Sequence, residues 1–179
     1  MYSVVQAPNE ILRSATQPVN FDVSKIVAEM KKTLVSQKDP EGVGLAANQV
    51  GLPYRIFLAR FDTKKNSPIF TFINPEILEK SPDLQKEDKK APLEGCLSLP
   101  KYYGVVKRNA WVKLQYLDEN LKSKTEDFRG FPATVIQHEM DHLSGKIFVE
   151  RILEQAGMLY RITGKDAKGK EKWEEVELT

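Results

Sequence analysis

The chain's only two histidines, His138 and His142, stand four residues apart in a segment that reads as helix. Pro132 suits a first helical turn, and FPATVIQHEMDHLSG runs on to Gly145, a natural C-terminal stop. Four residues advance a helix by about 400°, so both imidazoles share one stripe, roughly 6 Å apart along the axis. Two rings so placed can converge on one cation. Glu139, beside the first ring, then reaches a water on that cation, the H-E-x-x-H arrangement in which the glutamate is the general base. A chance histidine pair on a helix is the bland alternative. Against it, no other histidine exists, and neither of these lies in a charged loop or in the tail.

The segments before this helix read differently. Residues 1–22 are irregular, with Pro8 and Pro18 as breakers. A first helix is expected over Val23–Gln37, where Val23, Ile26, Val27, Met30 and Leu34 recur at helical spacing and Asp22 is placed to cap. Strands are expected at Tyr54–Phe61, Ile69–Ile73, Gly104–Lys107 and Trp111–Leu117. Asp118–Asn120 is a turn, and Leu121–Phe128 pairs back as a hairpin. Residues 79–92 carry many charges and two prolines and read as an exposed loop. The tail after Arg161 is rich in Lys and Glu, with Gly164 and Gly169, and reads as a loose hairpin. Strands first and a helix later predict an α+β domain, with mainly antiparallel sheets packed around a central helix. Residues 1–179 are expected to form one catalytic domain, with residues 161–179 a divergent tail.

Composition narrows the function. Lys and Arg are scattered among Asp and Glu for a net charge of +2, so no nucleic-acid footprint appears. No apolar run approaches the ~20 residues that cross a membrane, and MYSVVQAPNEILR lacks the pattern of a signal peptide. One cysteine excludes an internal disulfide framework. The default location is cytoplasmic, or organellar for a eukaryotic source.

A catalytic metal site of this kind takes three protein ligands and keeps a position open for water. Cys96 is one source of the third ligand; the glycine before it and the proline four later suggest a shaped turn. A lone cysteine is more often a small buried hydrophobe. The rival source is Glu150 or Glu154, as in a metallopeptidase. A non-catalytic metal-bearing binding module is a second rival, and Glu139 argues against it. Gly42 and Gly44 are open to a plain reading as only a turn; a phosphate loop is a rival, but a poor fit because no Gly-Lys-Ser/Thr follows.

Three segments taken together resemble the peptide deformylase family. They are Gly42-Val-Gly-Leu-Ala-Ala-Asn-Gln49, Glu94-Gly-Cys-Leu-Ser98 and Gln137-His-Glu-Met-Asp-His-Leu-Ser-Gly145, in the family's order, within a likeness covering roughly residues 5–150. The resemblance implies that Cys96, His138 and His142 hold a metal and that Glu139 is the general acid/base. It implies oxyanion donors at the Gln49 side chain and the Leu97 backbone N–H. It implies a methionine slot at Val43, Gly44, Phe131 and Val135, the last two on the His138 face of the helix. Asn48 stands where many members have proline, which predicts a less rigid loop.

Arg108 matches an arginine after the family's cysteine motif, with Glu94 or Asp141 as its partner. Asp141 either orients a ligand from behind or is a solvated helix charge. The implied cofactor is one divalent metal, Fe2+ in the cell, with Zn2+, Ni2+ or Co2+ able to occupy the site. Thiolate and imidazole softness alone favours Zn2+. The implied reaction releases formate from N-formylmethionyl nascent peptides. Such substrates imply work at the ribosome, but the tail lacks the helix that some members use to dock there.

Overall fold

The computed structural model describes residues 1–62, 64, 67–85 and 93–177. In chain order its strands are β1 (Gly44–Ala46), β2 (Ile56–Ala59), β3 (Phe70–Lys80), β4 (Glu94–Cys96) and β5 (Leu99–Gly104). They continue with β6 (Trp111–Leu117), β7 (Ser123–Arg129), β8 (Leu159–Lys165) and β9 (Glu171–Val176). The α-helices are α1 (Ser24–Ser36), α2 (Phe131–Leu143) and α3 (Phe148–Glu154). Every pairing between these strands is antiparallel. One sheet runs β1-β2-β3-β6-β7 and the other β4-β5-β8-β9. The fold is therefore α+β, with antiparallel sheets and the histidine pair on α2.

β2 shows how the larger sheet is held. All four of its residues, IFLA, are buried. Side chains alternate across a strand, so Ile56 and Leu58 join one core with Val27, Met30 and Leu34 of α1. Phe57 and Ala59 join the opposite core with Ala133, Ile136, Met140 and Leu143 of α2. The sheet is thus covered by a helix on each face, which explains why β2 is apolar throughout. On the α2 side Phe72 stacks on Phe57 at 4.5 Å and meets Tyr116 at 4.6 Å and Phe128 at 5.9 Å between ring centroids. β7 is the charged outer strand, SKTEDFR, a composition that discourages pairing with another edge.

Several sequence expectations need correction. Asp22 does not sit at the N-cap of α1. That position is Val23, and the Asp22 carboxylate accepts from Ser24 N–H one step outside the helix. The strand expected over Tyr54–Phe61 is only Ile56–Ala59, and the one expected at Ile69–Ile73 extends to Lys80. Glu79 and Lys80, read as loop, pair with Lys113 and Val112 on β6. Their charges stay on the solvent side, which hid the strand. Pro75 is accommodated because the register slips between Ile73 and Glu76, a bulge that needs no donor there. Residues 86–92 of the expected loop lie outside the described residues. The strand expected at Gly104–Lys107 lies earlier, at Leu99–Gly104, between β4 and β8. The hairpin partner of β6 is Ser123–Arg129, two residues later than expected.

α3 was not legible. It has only seven residues, and its apolar pair Phe148 and Ile152 packs with Cys96 and Leu159 in a third small core.

Phe72→Ala is expected to destabilise the fold by about 3–5 kcal/mol, the usual cost of emptying a buried aromatic site. Denaturant unfolding should show the midpoint fall with little change in slope.

Candidate metal centre

A strand and a helix meet at the centre. β4 ends in Cys96, and α2 presents His138 and His142 one turn apart. The Cys96 Sγ lies 3.1 Å from His142 Nε2. One donor atom from each of Cys96, His138 and His142 lies within 4.8 Å of the others. A tetrahedral ion with thiolate and imidazole ligands spaces its donors roughly 3.4–3.6 Å apart, so this set fits one first-row divalent cation. His142 is fully buried and Cys96 nearly so, while His138 stays partly open. Burial disfavours the Cys96 thiolate, yet His142 and His138 hold the thiol well below its ordinary pKa. The sulfur is therefore poised as the anion a metal takes.

Glu150 and Glu154, the rival third ligands, are engaged elsewhere. Glu150 accepts from Ile147 N–H at the start of α3 and pairs with Arg13. Glu154 pairs with Lys146 and Arg151.

Behind the three donors stands a chain of charges. His138 Nδ1 lies 2.9 Å from Glu94 Oε2. Arg108 grips Glu94 with two nitrogens, Nε at 2.8 Å and Nη2 at 2.9 Å, and Asp141 with Nη1 at 2.6 Å. Asp141 is also held by Arg151. Arg108 thus takes both of its candidate partners, and Asp141 faces arginines, not solvent. Burial opposes ionisation of Glu94, but Arg108 and His138 hold its carboxyl down at about 2. A fixed carboxylate on Nδ1 sets the ring orientation and leaves Nε2 toward the cluster. The sequence offered Glu94 only as a partner for Arg108; its contact with His138 was missed.

Glu139 is 3 % exposed, and its Oε2 is buried without a partner. Burial pushes its carboxyl up to about 7; a cation held beside it acts the other way. Gly44 makes room for it, because a Cβ at residue 44 would overlap the Glu139 carboxylate. Gln49 follows in the short 3-10 turn Ala47–Val50. Its Oε1 accepts from Ala46 N–H at 2.9 Å, which aims Nε2 at Cys96 Sγ (3.4 Å) and Ser98 Oγ (3.2 Å). Asn48 is fully buried and donates to the His142 carbonyl. That bond ties the loop to α2, a restraint that proline cannot supply, so the looser loop expected at this position is replaced by a tethered one.

Above the donors opens a cavity of about 240 Å³. Val43, Gly44, Phe131 and Val135 line it, as do Gln49, Leu97 and Glu139. Phe131 stands at 43 % exposure, whereas Val135 is buried at 4 %. Tyr103 also lines this cavity and was not singled out from sequence. Three donors, a buried carboxylate and an apolar slot can together position and activate water against a carbonyl compound.

Known proteins share this arrangement of chain. The family model described as polypeptide deformylase matches residues 1–157. A peptide deformylase of Phenylobacterium zucineum is 40% identical over 153 residues, 83% of this chain and 86% of the relative. One of Afipia carboxidovorans is 38% identical over 148 residues, 82% of this chain and 84% of the relative. The solved peptide deformylase of Thermotoga maritima has a TM-score of 0.73 at 30% identity, covering 84% of this chain and 97% of its own. That of Synechococcus elongatus, solved with actinonin, has a TM-score of 0.75 at 31% identity, covering 84% of this chain and 79% of its own.

Cys96→Ala and His138→Ala are expected to abolish tight metal binding, measured by elemental analysis after dialysis, while Glu150→Ala retains it. Glu94→Gln should keep the metal but weaken its affinity about 10- to 100-fold in a chelator titration, the usual effect of losing the partner of a ligand histidine. Metal retained by Cys96→Ala and lost by Glu150→Ala would move the third ligand to α3.

Proposed function

The chain belongs to the peptide deformylase family, and from that premise we infer how its cleft divides the work. The enzyme removes the N-formyl group from the formylmethionine of nascent polypeptides and releases formate. We assign the metal to Cys96, His138 and His142. Fe2+ is the ion in the cell, and Zn2+, Ni2+ or Co2+ can take its place in purified protein. A bound divalent ion supplies Lewis acidity, making water easier to deprotonate and the formyl carbonyl easier to attack.

The chain's own groups carry the rest. Glu139 takes the proton as water adds to the formyl carbon. Negative charge then grows on the formyl oxygen, where the Gln49 amide and the Leu97 N–H donate to it. One such donor is typically worth about 3 kcal/mol in the transition state. The C–N bond breaks, Glu139 returns its proton to the leaving amine, and formate departs. Val43, Gly44, Phe131 and Val135 hold the methionine side chain. The chain acts as one catalytic domain of the cytoplasm, meeting its substrates where they leave the ribosome. Among the described residues no helix is long and apolar enough to cross a membrane.

The observation that carries this reading is the meeting of the three donors beneath a cavity that Cys96, His138 and Glu139 line, with Glu139 keeping a buried oxygen that has no partner. A closed structural site has no use for such a carboxylate.

Anaerobically prepared, iron-loaded protein is expected to release formate from formyl-Met-Ala-Ser; none released would refute the assignment. Glu139→Gln should lose at least about 100-fold in kcat while retaining its metal, the scale of a lost general base. Gly44→Ala should lose activity comparably, because its methyl group displaces the Glu139 carboxylate. Full activity in Gly44→Ala would contradict the packing.

A further inference from the structure

Tyr103 and Pro40 are shared walls. They line the cavity above the donors and also a second crevice of about 260 Å³. Much of that second crevice is built by the C-terminal hairpin, with Ile162 and Lys165 on β8 and Glu171 on β9. Lys101 and Asp39 complete its charged groups. The family match stops at residue 157, so the hairpin lies beyond it.

Strand register explains how the hairpin reaches the active cleft. Tyr103 pairs with Tyr160, and Ile162, two residues on, pairs with Trp173. Cross-strand partners and alternate residues share a face, so Tyr103, Ile162 and Trp173 project together. The Trp173 ring meets Tyr103 edge-on at 5.2 Å between centroids, although Trp173 remains 45 % exposed. Tyr103 lies in turn against Gly95, where a Cβ would come within 2.6 Å of its ring. An exposed tryptophan on the last strand therefore braces the ring between two compartments, and that ring rests on the strand ending in Cys96.

We propose that the hairpin crevice is a subsite for the formylated peptide beyond its first residues, and that Trp173 is a positioning residue holding Tyr103 at the junction. The proposal rests on the deformylase reading. A peptide entering formyl end first leads away from the donors at about 3.3 Å per extended residue. Pro40 and Tyr103, common to both linings, set the two compartments side by side. Lys101 and Lys165 offset Asp39 and Glu171, so the crevice accepts peptide by shape and does not select one sign of charge.

The test measures formate release from formyl-methionine and from formyl-methionyl pentapeptides at equal metal loading. Trp173→Ala should lower the ratio of kcat/KM on the pentapeptide to that on formyl-methionine about three- to tenfold, the size of one lost aromatic contact. The loss should appear in KM, and Trp173→Phe should restore most of it. Lys165→Glu, on an exposed part of β8, should shift preference toward pentapeptides with lysine over glutamate at their last positions. Ratios unchanged in both variants would overturn the subsite. Equal losses on both substrates would also overturn it, leaving the hairpin a purely structural part. No formate from either substrate with the unaltered protein would instead sink the deformylase reading itself.

Discussion

The centre depends on a sulfur and an imidazole that meet from distant parts of the chain. Cys96 Sγ and His142 Nε2 stand 3.1 Å apart across a separation of 46 residues. Neither element can bring this about alone. β4 is three residues long and owes its place to β5, while α2 is held by the core it shares with β2, β3 and β6. Burial makes the meeting consequential. In water a thiol and an imidazole have no reason to hold one geometry; here the low dielectric strengthens their attraction, and few alternatives remain.

Around that contact the polar groups form a graded series. Glu94 is ionised and locked by Arg108, so it holds His138. Asp141 is held by two arginines and so anchors Arg108 from the far side. The Glu139 Oε2 has no hydrogen-bond partner, and burial raises the carboxyl pKa to about 7. Carboxylates in one small region are thus pushed in opposite directions by their surroundings, the pattern that separates scaffolding groups from a proton carrier. Gly44 completes the distinction by leaving space for the Glu139 carboxylate.

Much of this was legible in the sequence, for identifiable reasons. α2 carries its own start, stop and histidine spacing, and β6 alternates cleanly, so both were readable from local pattern. The histidine pair was readable because the chain has only two histidines, four apart, while Cys96 was set above Glu150 and Glu154 only by the resemblance of its motif. What escaped depends on distant partners. Glu79 and Lys80 look like loop until β6 lies beside them. α3 is too short for periodicity to show. Glu94 was paired with Arg108 from the sequence, but its hold on His138 shows only once β4 lies against α2. Tyr103 and Trp173 are 70 residues apart in the chain and become neighbours only through the pairing of β5, β8 and β9.

The most direct measurement is X-ray absorption at the metal edge of the iron- or zinc-loaded protein. One sulfur at about 2.3 Å together with two imidazole nitrogens and a lighter fourth scatterer is the predicted shell. A shell of nitrogen and oxygen without sulfur would contradict the account, since it would leave Cys96 as core packing and the ligand set unexplained.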